Sequence, residues 1–249
     1  MKLSVGLITY NEEKDLSRTL EAVKEIADEI VIVDNGSTDH TLDIAGKYGA
    51  RIYSEEWKGF GLQKNAVIEK CQGDWILLID ADEEISVPLK EKIKEIINRQ
   101  NNPYKVYKLN FTTICFGKQI KYGGWSNFFR VRLFARGAGK YDNKTVHENF
   151  VTSEPIGMVK EKINHYTYSN LEDYFTKFNS YTTKQAWQYK QAAKKKNIMS
   201  IYFSSGFSFF KTFILQLGFL DGYEGYLLSK FGAMIVLVKY SKLRELNQN

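Results

Sequence analysis

Over its first hundred residues this chain switches regularly between two hydrophobic periods, and that switching narrows the available folds more than any other feature. Short apolar, β-rich runs stand at 2–10 (KLSVGLITY), 29–35 (EIVIVDN), 50–55 (ARIYSE) and 74–80 (DWILLID). Helical patterns separate and follow them, over 12–27, 38–48, 61–71 and 88–98. Asn11 before two acids, and Ser37–Thr38–Asp39, are expected helix starts, because short polar side chains accept hydrogen bonds from unpaired first-turn amides. Strands spaced by helices of this length predict βαβ units. The expected fold is therefore α/β and Rossmann-like, with a mostly parallel central sheet and helices on both faces.

The alternation stops near Asn102–Pro103. Shorter strand-like runs follow at 104–112, 114–121 and 128–134, then a helical pattern from Asn170 to Lys196 and an apolar, aromatic stretch over 198–240. The expected division is an α/β domain over 1–165 and a helical extension over 166–249. Apolar residues make up 43% of the 249 and charged residues 26%, enough for a full core, which argues against a disordered chain. The two cysteines match no metal spacing and imply no disulfide framework, so a reducing cytoplasmic compartment is expected. The start MKLSVGLITYNEE has too short an apolar run for a secretory signal.

In an open parallel sheet, ligands bind beyond the carboxyl ends of the strands. Here those ends are polar: Thr9–Tyr10–Asn11–Glu12, then Asp34–Asn35–Gly36–Ser37–Thr38–Asp39, then Asp80–Ala81–Asp82. Neither GxGxxG nor GxxxxGK[ST] occurs, so a phosphate-bearing ligand would need another counter-charge. On an extended segment Asp80 and Asp82 would point to one side and repel unless a proton or a cation came between them. Mg²⁺ suits such carboxylates, and Mn²⁺ would also accept an imidazole. His165 is then a third ligand or a packed histidine, while His40 should face solvent. Glu83 and Glu84 are expected to start the next helix or face water. Arg130 and Arg132, two apart, share a face that either binds an anion or is simply exposed. Trp125 either stacks on a sugar or packs in the core.

Taken together, ITYNEE, IVIVDNGSTDHT, GLQKNAV and WILLIDADEEI, in this order and spacing, resemble the nucleotide-sugar-dependent glycosyltransferases of family 2, which have the GT-A fold. Further on, RLFAR, VHENF and INHYTYSNLEDY are similar to a bacterial branch that transfers glucose in β-1,4 linkage to the inner core of lipopolysaccharide. The resemblance implies an inverting hexosyltransferase with a nucleotide-sugar donor, UDP being the family's commonest nucleotide, and a lipid-linked glycan acceptor. Asp34 would bind base or ribose, with Thr9, Tyr10, Asn11 and Glu12 lining the same pocket. Lys64 and Asn65 would lie near the nucleotide. Asp80 would contact ribose or metal, and Asp82 would hold the Mn²⁺ or Mg²⁺ that bridges the diphosphate; Arg132 is a further candidate for the donor's phosphates. Family members draw a base from an acid downstream, here Glu148, with His147 as the alternative base or an acceptor-side group beside Trp125.

The net charge of +6 is uneven. Residues 1–159 carry 22 basic and 23 acidic side chains, and 160–249 carry 13 and 6. This basic excess lies beside the most apolar stretch, which suggests an anionic membrane contacted through residues 190–240, peripherally and on the inner face of the cytoplasmic membrane. Packing of those helices against the catalytic domain or a second subunit, and a membrane-spanning helix over 198–220, are the competing accounts. A nucleotidyltransferase is disfavoured by the absence of a Gly-rich loop after the first strand. Nucleic-acid binding fits the basic, tyrosine-rich segment, but acidic strand ends would repel phosphates, so no nucleic-acid partner is expected.

Overall fold

A computed structural model of the chain describes residues 1–142, 148–194 and 196–248. Two compact units divide it: one from Met1–Phe111 with Phe128–His165, the other from Thr112–Asn127 with Tyr166–Asn249. The segment 112–127, expected within the α/β part, thus groups with the C-terminal helices.

The first unit opens as the alternation predicts: β1 (Leu3–Thr9), α1 (Leu16–Val23), β2 (Glu29–Asp34), α2 (Thr41–Lys47), β3 (Arg51–Ser54), α3 (Phe60–Lys70) and β4 (Trp75–Leu78). Then follow β5 (Glu83–Ile85), α4 (Val87–Asn98), β6 (Val106–Cys115), β7 (Lys118–Ile120), β8 (Phe128–Ala135), β9 (Lys140–Tyr141), β10 (Phe150–Val151) and β11 (Ile156–Tyr168). The main sheet has the order β3-β2-β1-β4-β8-β6-β11-β5. Its first four strands are parallel. Beyond β4 the sheet turns mixed: β8 runs antiparallel to β4 and β6, and β5 antiparallel to β11. β1 lies between β2 and β4, so Asp34 and Asp80 end strands separated by one other.

Period two explains the core. Leu3, Val5, Leu7, Ile30, Ile32, Trp75 and Leu77 face one side of the sheet, where α1, α2 and α4 supply Leu16, Leu20, Ala45, Leu89 and Ile93. Val31, Val33, Ile76 and Leu78 face the other side and meet Val67 of α3 and Cys71 just beyond its end. Both sides being covered, β1, β2 and β4 read as continuous apolar runs.

Two helix starts differ from expectation. Asn11 has a left-handed backbone (φ 55°), and α1 begins only at Leu16. The amides of Asn11, Glu12 and Glu13 donate instead to Ser37 Oγ, Thr41 Oγ1 and Asp39 Oδ2, which holds 11–15 as a loop. α2 starts at Thr41, whose amide Asp39 Oδ1 accepts, rather than at Thr38. α4 follows its signals, with Ser86 capping Leu89 N and Pro88 in the first turn.

In the second unit, α5 (Leu171–Gln191) starts at Asn170, whose Oδ1 accepts from Asp173 N, and α6 (Ile198–Phe210) at Asn197, whose Oδ1 accepts from Ser200 N. A π-helical turn (Lys211–Leu215) and a 3₁₀ turn (Gly218–Asp221) lead into α7 (Gly222–Gln248). Tyr174 of α5 is 2% exposed and stacks on Phe231 of α7 at 4.5 Å. Trp125 packs partly buried against Cys115, Ile120 and Leu228. The segment Ile198–Leu215 is long and apolar enough to cross a membrane, and none of it is buried within the protein.

α3 reaches the sheet at Gly6, where an added Cβ would stand 2.4 Å from Val67 Cγ1. Valine's χ1 is stiff, so the helix backbone would have to retreat. Gly6→Val should destabilise the protein by about 1–3 kcal/mol, read as a lower urea midpoint; an unchanged midpoint would show that α3 does not depend on this contact.

Candidate active site

The site begins where β1 and β2 end side by side, with Thr9 opposite Asp34 in parallel register. Thr9 is 1% and Asp34 2% exposed. The Asp34 carboxylate accepts from Thr9 Oγ1 (2.8 Å), Ser37 Oγ (2.6 Å), Gly36 N (2.8 Å) and Ser37 N (2.8 Å). Gly36, at φ 82°, supplies the left-handed step that lets the turn wrap back onto it. Asn11 Oδ1 accepts from Thr38 N at 2.8 Å, lacing this loop to the loop after β1. Tyr10 is 56% exposed at the rim. Thr9, Tyr10, Asn11, Glu12 and Asp34 therefore do gather at one sheet end.

The second cluster follows β4. The extended Asp80–Asp82 segment expected from sequence is instead a turn, closed by Glu83 N donating to Asp80 O at 3.1 Å. The turn sends the two aspartates to different partners. Arg132 Nη2 lies 2.5 Å from Asp80 Oδ2 and 2.5 Å from Glu83 Oε1, and Asp80 N donates to Glu83 Oε2 at 3.0 Å. His165 Nε2 lies 3.3 Å from Asp82 Oδ2.

Glu83 corrects the sequence reading most sharply. It neither starts a helix nor faces water: it sits in β5, 1% exposed, opposite His165 of β11. The sequence Glu83–Glu84–Ile85 carries no hydrophobic alternation that could have placed it; its buried–intermediate–buried pattern exists only in the folded strand. Arg132 is likewise buried, at 3%, so its strand face is not the exposed one considered from sequence, whereas Arg130 is exposed. A guanidinium is the cation suited to this burial, since it stays charged and spans two carboxylates. Burial would push the Asp80 carboxyl up, but Arg132, assisted by Lys64, overrides it and holds Asp80 well below the usual carboxylate range. Burial pushes Glu83 up, and Asp80 and Asp82 add to that. For His165, burial disfavours the imidazolium, yet the hydrogen bond and charge of Asp82 raise its pKa overall.

The third cluster joins α3 to the segment after β9. Lys64 Nζ lies 2.6 Å from Glu148 Oε1 and 5.2 Å from the Tyr141 ring centroid. Their side chains are 8% and 14% exposed. Asn65 is occupied by backbone: its Nδ2 donates to Tyr141 O and its Oδ1 accepts from Tyr141 N, both at 2.9 Å. Tyr141, for which the sequence carried no signal, is pushed up first by burial, and Arg132, Lys64, Asp80 and Glu148 all act on it. That shared influence draws the second and third clusters together.

Trp125 belongs to the second structural unit, in its packed core, and His147 lies outside the described residues. His40 is exposed and pairs with Asp43 at 3.2 Å, as its position in the turn suggested. The donors available to a divalent cation are Asp82, Asp80 and His165. Among the described residues no group of three or more histidine, cysteine or acidic side chains converges on one point. The carboxylates and imidazole are the right chemistry for Mg²⁺ or Mn²⁺, with Asp80 40% and Asp82 24% exposed in their side chains, but their present partners are Arg132 and the His165–Asp82 pair itself.

Removing the guanidinium would leave Glu83 buried without its cation. Arg132→Met should cost about 3 kcal/mol, the lower end for a broken buried pair because Asp80 keeps solvent access. Pairing it with Glu83→Gln should recover part of the loss. Urea unfolding of the single and double variants checks this; equal stability of wild type and Arg132→Met would show that the cluster does not support the fold.

The model for glycosyl transferase family 2 matches residues 4–143, which contain all three strand ends and Lys64. An uncharacterised glycosyltransferase of Rickettsia typhi is 30% identical over 99% of this chain and 88% of its own length. The lipopolysaccharide core biosynthesis glycosyltransferase LpsC of Rhizobium meliloti is 27% identical over 98% and 92%. Residues 1–349 of TarS from S. aureus, a solved structure, share 16% identity and a TM-score of 0.48 over 98% of this chain and 88% of that one. With more than half its length matched by the family model, and relatives alike along nearly the whole of it, this chain belongs to glycosyltransferase family 2.

Proposed function

We propose that this enzyme transfers a hexose, glucose on the sequence resemblance, from a UDP-linked donor to a lipid-linked glycan of the lipopolysaccharide inner-core kind, inverting the anomeric centre. The observation that carries the reading is the likeness to LpsC along nearly the whole of both chains, combined with acids at three strand ends of a family 2 sheet. In this reading Thr9, Tyr10, Asn11, Glu12 and Asp34 form the nucleotide side, with residues 1–165 as the donor-binding and catalytic part. Asp82, with Asp80 and His165, would hold Mg²⁺ or Mn²⁺, which supplies positive charge to the diphosphate as it leaves. Lys64 and Arg132 add fixed cations on that side.

The reaction is one displacement. The acceptor hydroxyl oxygen bonds to the anomeric carbon while the bond from that carbon to the diphosphate oxygen breaks, and the hydroxyl proton passes to Glu148. Lys64, at 2.6 Å, fixes the position of the Glu148 carboxylate. Glu148→Gln should retain UDP-sugar binding but lower transfer roughly 10²–10⁴-fold, the usual worth of a general base; undiminished transfer would move the base elsewhere. Asp82→Ala should abolish both turnover and any dependence of UDP binding on Mg²⁺ or Mn²⁺, which titration calorimetry would read. Full activity in that variant would overturn the metal assignment.

Residues 190–240 are the proposed membrane contact, at the inner face of the cytoplasmic membrane. Exposed Met199 (78%) and Phe203 (76%) on α6 lie close in sequence to the basic Lys194 and Lys196. Met199→Asp with Phe203→Asp should weaken co-sedimentation with phosphatidylglycerol vesicles at least tenfold, since each buried apolar side chain contributes about 1.5–3 kcal/mol. Unchanged sedimentation, or a loss of dimer by light scattering, would favour packing between copies instead.

A further inference from the structure

Beside Glu148 lies a cavity of about 250 Å³, wholly inside the first unit, lined among others by Lys64, Lys108, Arg130, Arg132, Tyr141 and Glu148. Its charges do not balance. Four cations line it against a single carboxylate, Glu148, which Lys64 already engages. Arg132 is taken up by Asp80 and Glu83. Lys108 and Arg130 remain; among the described residues neither forms an ion pair, and Arg130 only overlies the Phe128 ring at 5.4 Å. Two uncommitted cations, Lys108 and Arg130, on one small cavity whose only carboxylate is already engaged call for an oxyanion.

We propose that this cavity is the acceptor subsite and that it selects acceptors carrying an anionic group, a phosphate monoester or a carboxylate, close to the hydroxyl that is glycosylated. This rests on the glycosyl-transfer reading above, with Glu148 as base: the group that takes the proton lines the cavity, so an acceptor seated there presents its hydroxyl to Glu148. Lys108 and Arg130 pair with the acceptor's anion. The nucleotide diphosphate is the other possible source of phosphate oxygens: of its proposed counter-charges Lys64 and Arg132 line this cavity, but Lys64 is engaged by Glu148 and Arg132 by Asp80 and Glu83, and Asp82 and the strand-end loops are not among the lining residues. Arg132 borders both, through Asp80 on one side and the cavity on the other.

The full-length protein and its Lys108→Gln/Arg130→Gln double variant would be titrated with inorganic phosphate, with and without saturating UDP and Mg²⁺, and separately with UDP. The expected result is phosphate binding by the wild type whether or not UDP is present, weakened about tenfold or more in the double variant, as loss of charge-assisted hydrogen bonds implies, with UDP affinity unchanged within twofold. Phosphate displaced by UDP, or UDP affinity falling with the double variant, would assign the cavity to the donor diphosphate and overturn the proposal. Equal phosphate affinity in wild type and variant would also overturn it. Because phosphate is read without nucleotide, failure to bind any nucleotide would count against glycosyl transfer itself and be distinguishable from failure of the anion site.

Discussion

The contact between Arg132 and the Asp80–Glu83 pair governs the centre of this molecule. A carboxylate 1% exposed is not stable there without a permanent cation, and a guanidinium 4% exposed is equally dependent on its acids. The interaction ties β8 to the turn after β4 and to β5 at the far edge of the sheet. It joins the parallel half to the mixed half through charge as well as hydrogen-bonded strands. Its electrostatic effect is asymmetric, with Asp80 held low and Glu83 pushed up, so adjacent carboxylates in one turn have different proton affinities.

Around that contact the strand ends are organised by side chains that serve the backbone. Asp34 spends both carboxylate oxygens on Thr9 and the Gly36–Ser37 turn, and Asn65 spends both ends of its amide on Tyr141. Such residues shape a binding surface by fixing loops, which keeps the geometry of the groups that touch ligand within narrow limits. Lys64 and Glu148 then come together across 84 positions of sequence because α3 packs closely on β1 at Gly6 while β9 is clipped to Asn65.

Much of this was legible beforehand, for definite reasons. Period-two runs covered on both faces gave β1, β2 and β4 almost at their true bounds, and the family motifs fell on the loops that close the site. The errors cluster where side chains override local preference. The loop 11–15 has acids suited to a helix start, but its amides are claimed by Ser37, Thr41 and Asp39 from another loop. Glu83 looked like a solvent-facing acid because nothing in its own neighbourhood announces an arginine 49 residues away. Tyr141 gave no signal, since its position rests on packing and on the amide of Asn65.

The sequence by itself determined the parallel half of the sheet, the membership of family 2 and the carboxylates at the strand ends, because each is written in short-range periodicity or in a contiguous motif. Only the tertiary structure decided who neutralises those carboxylates. Sequence reading supplied a divalent cation, Mg²⁺ or Mn²⁺, for Asp80 and Asp82, and no side chain of the protein itself. The fold brings Arg132 to Asp80 and Glu83, His165 to Asp82, and Lys64 to Glu148. Charge pairing depends on distance in space, and in a sheet of this order those distances are set by which strands are neighbours.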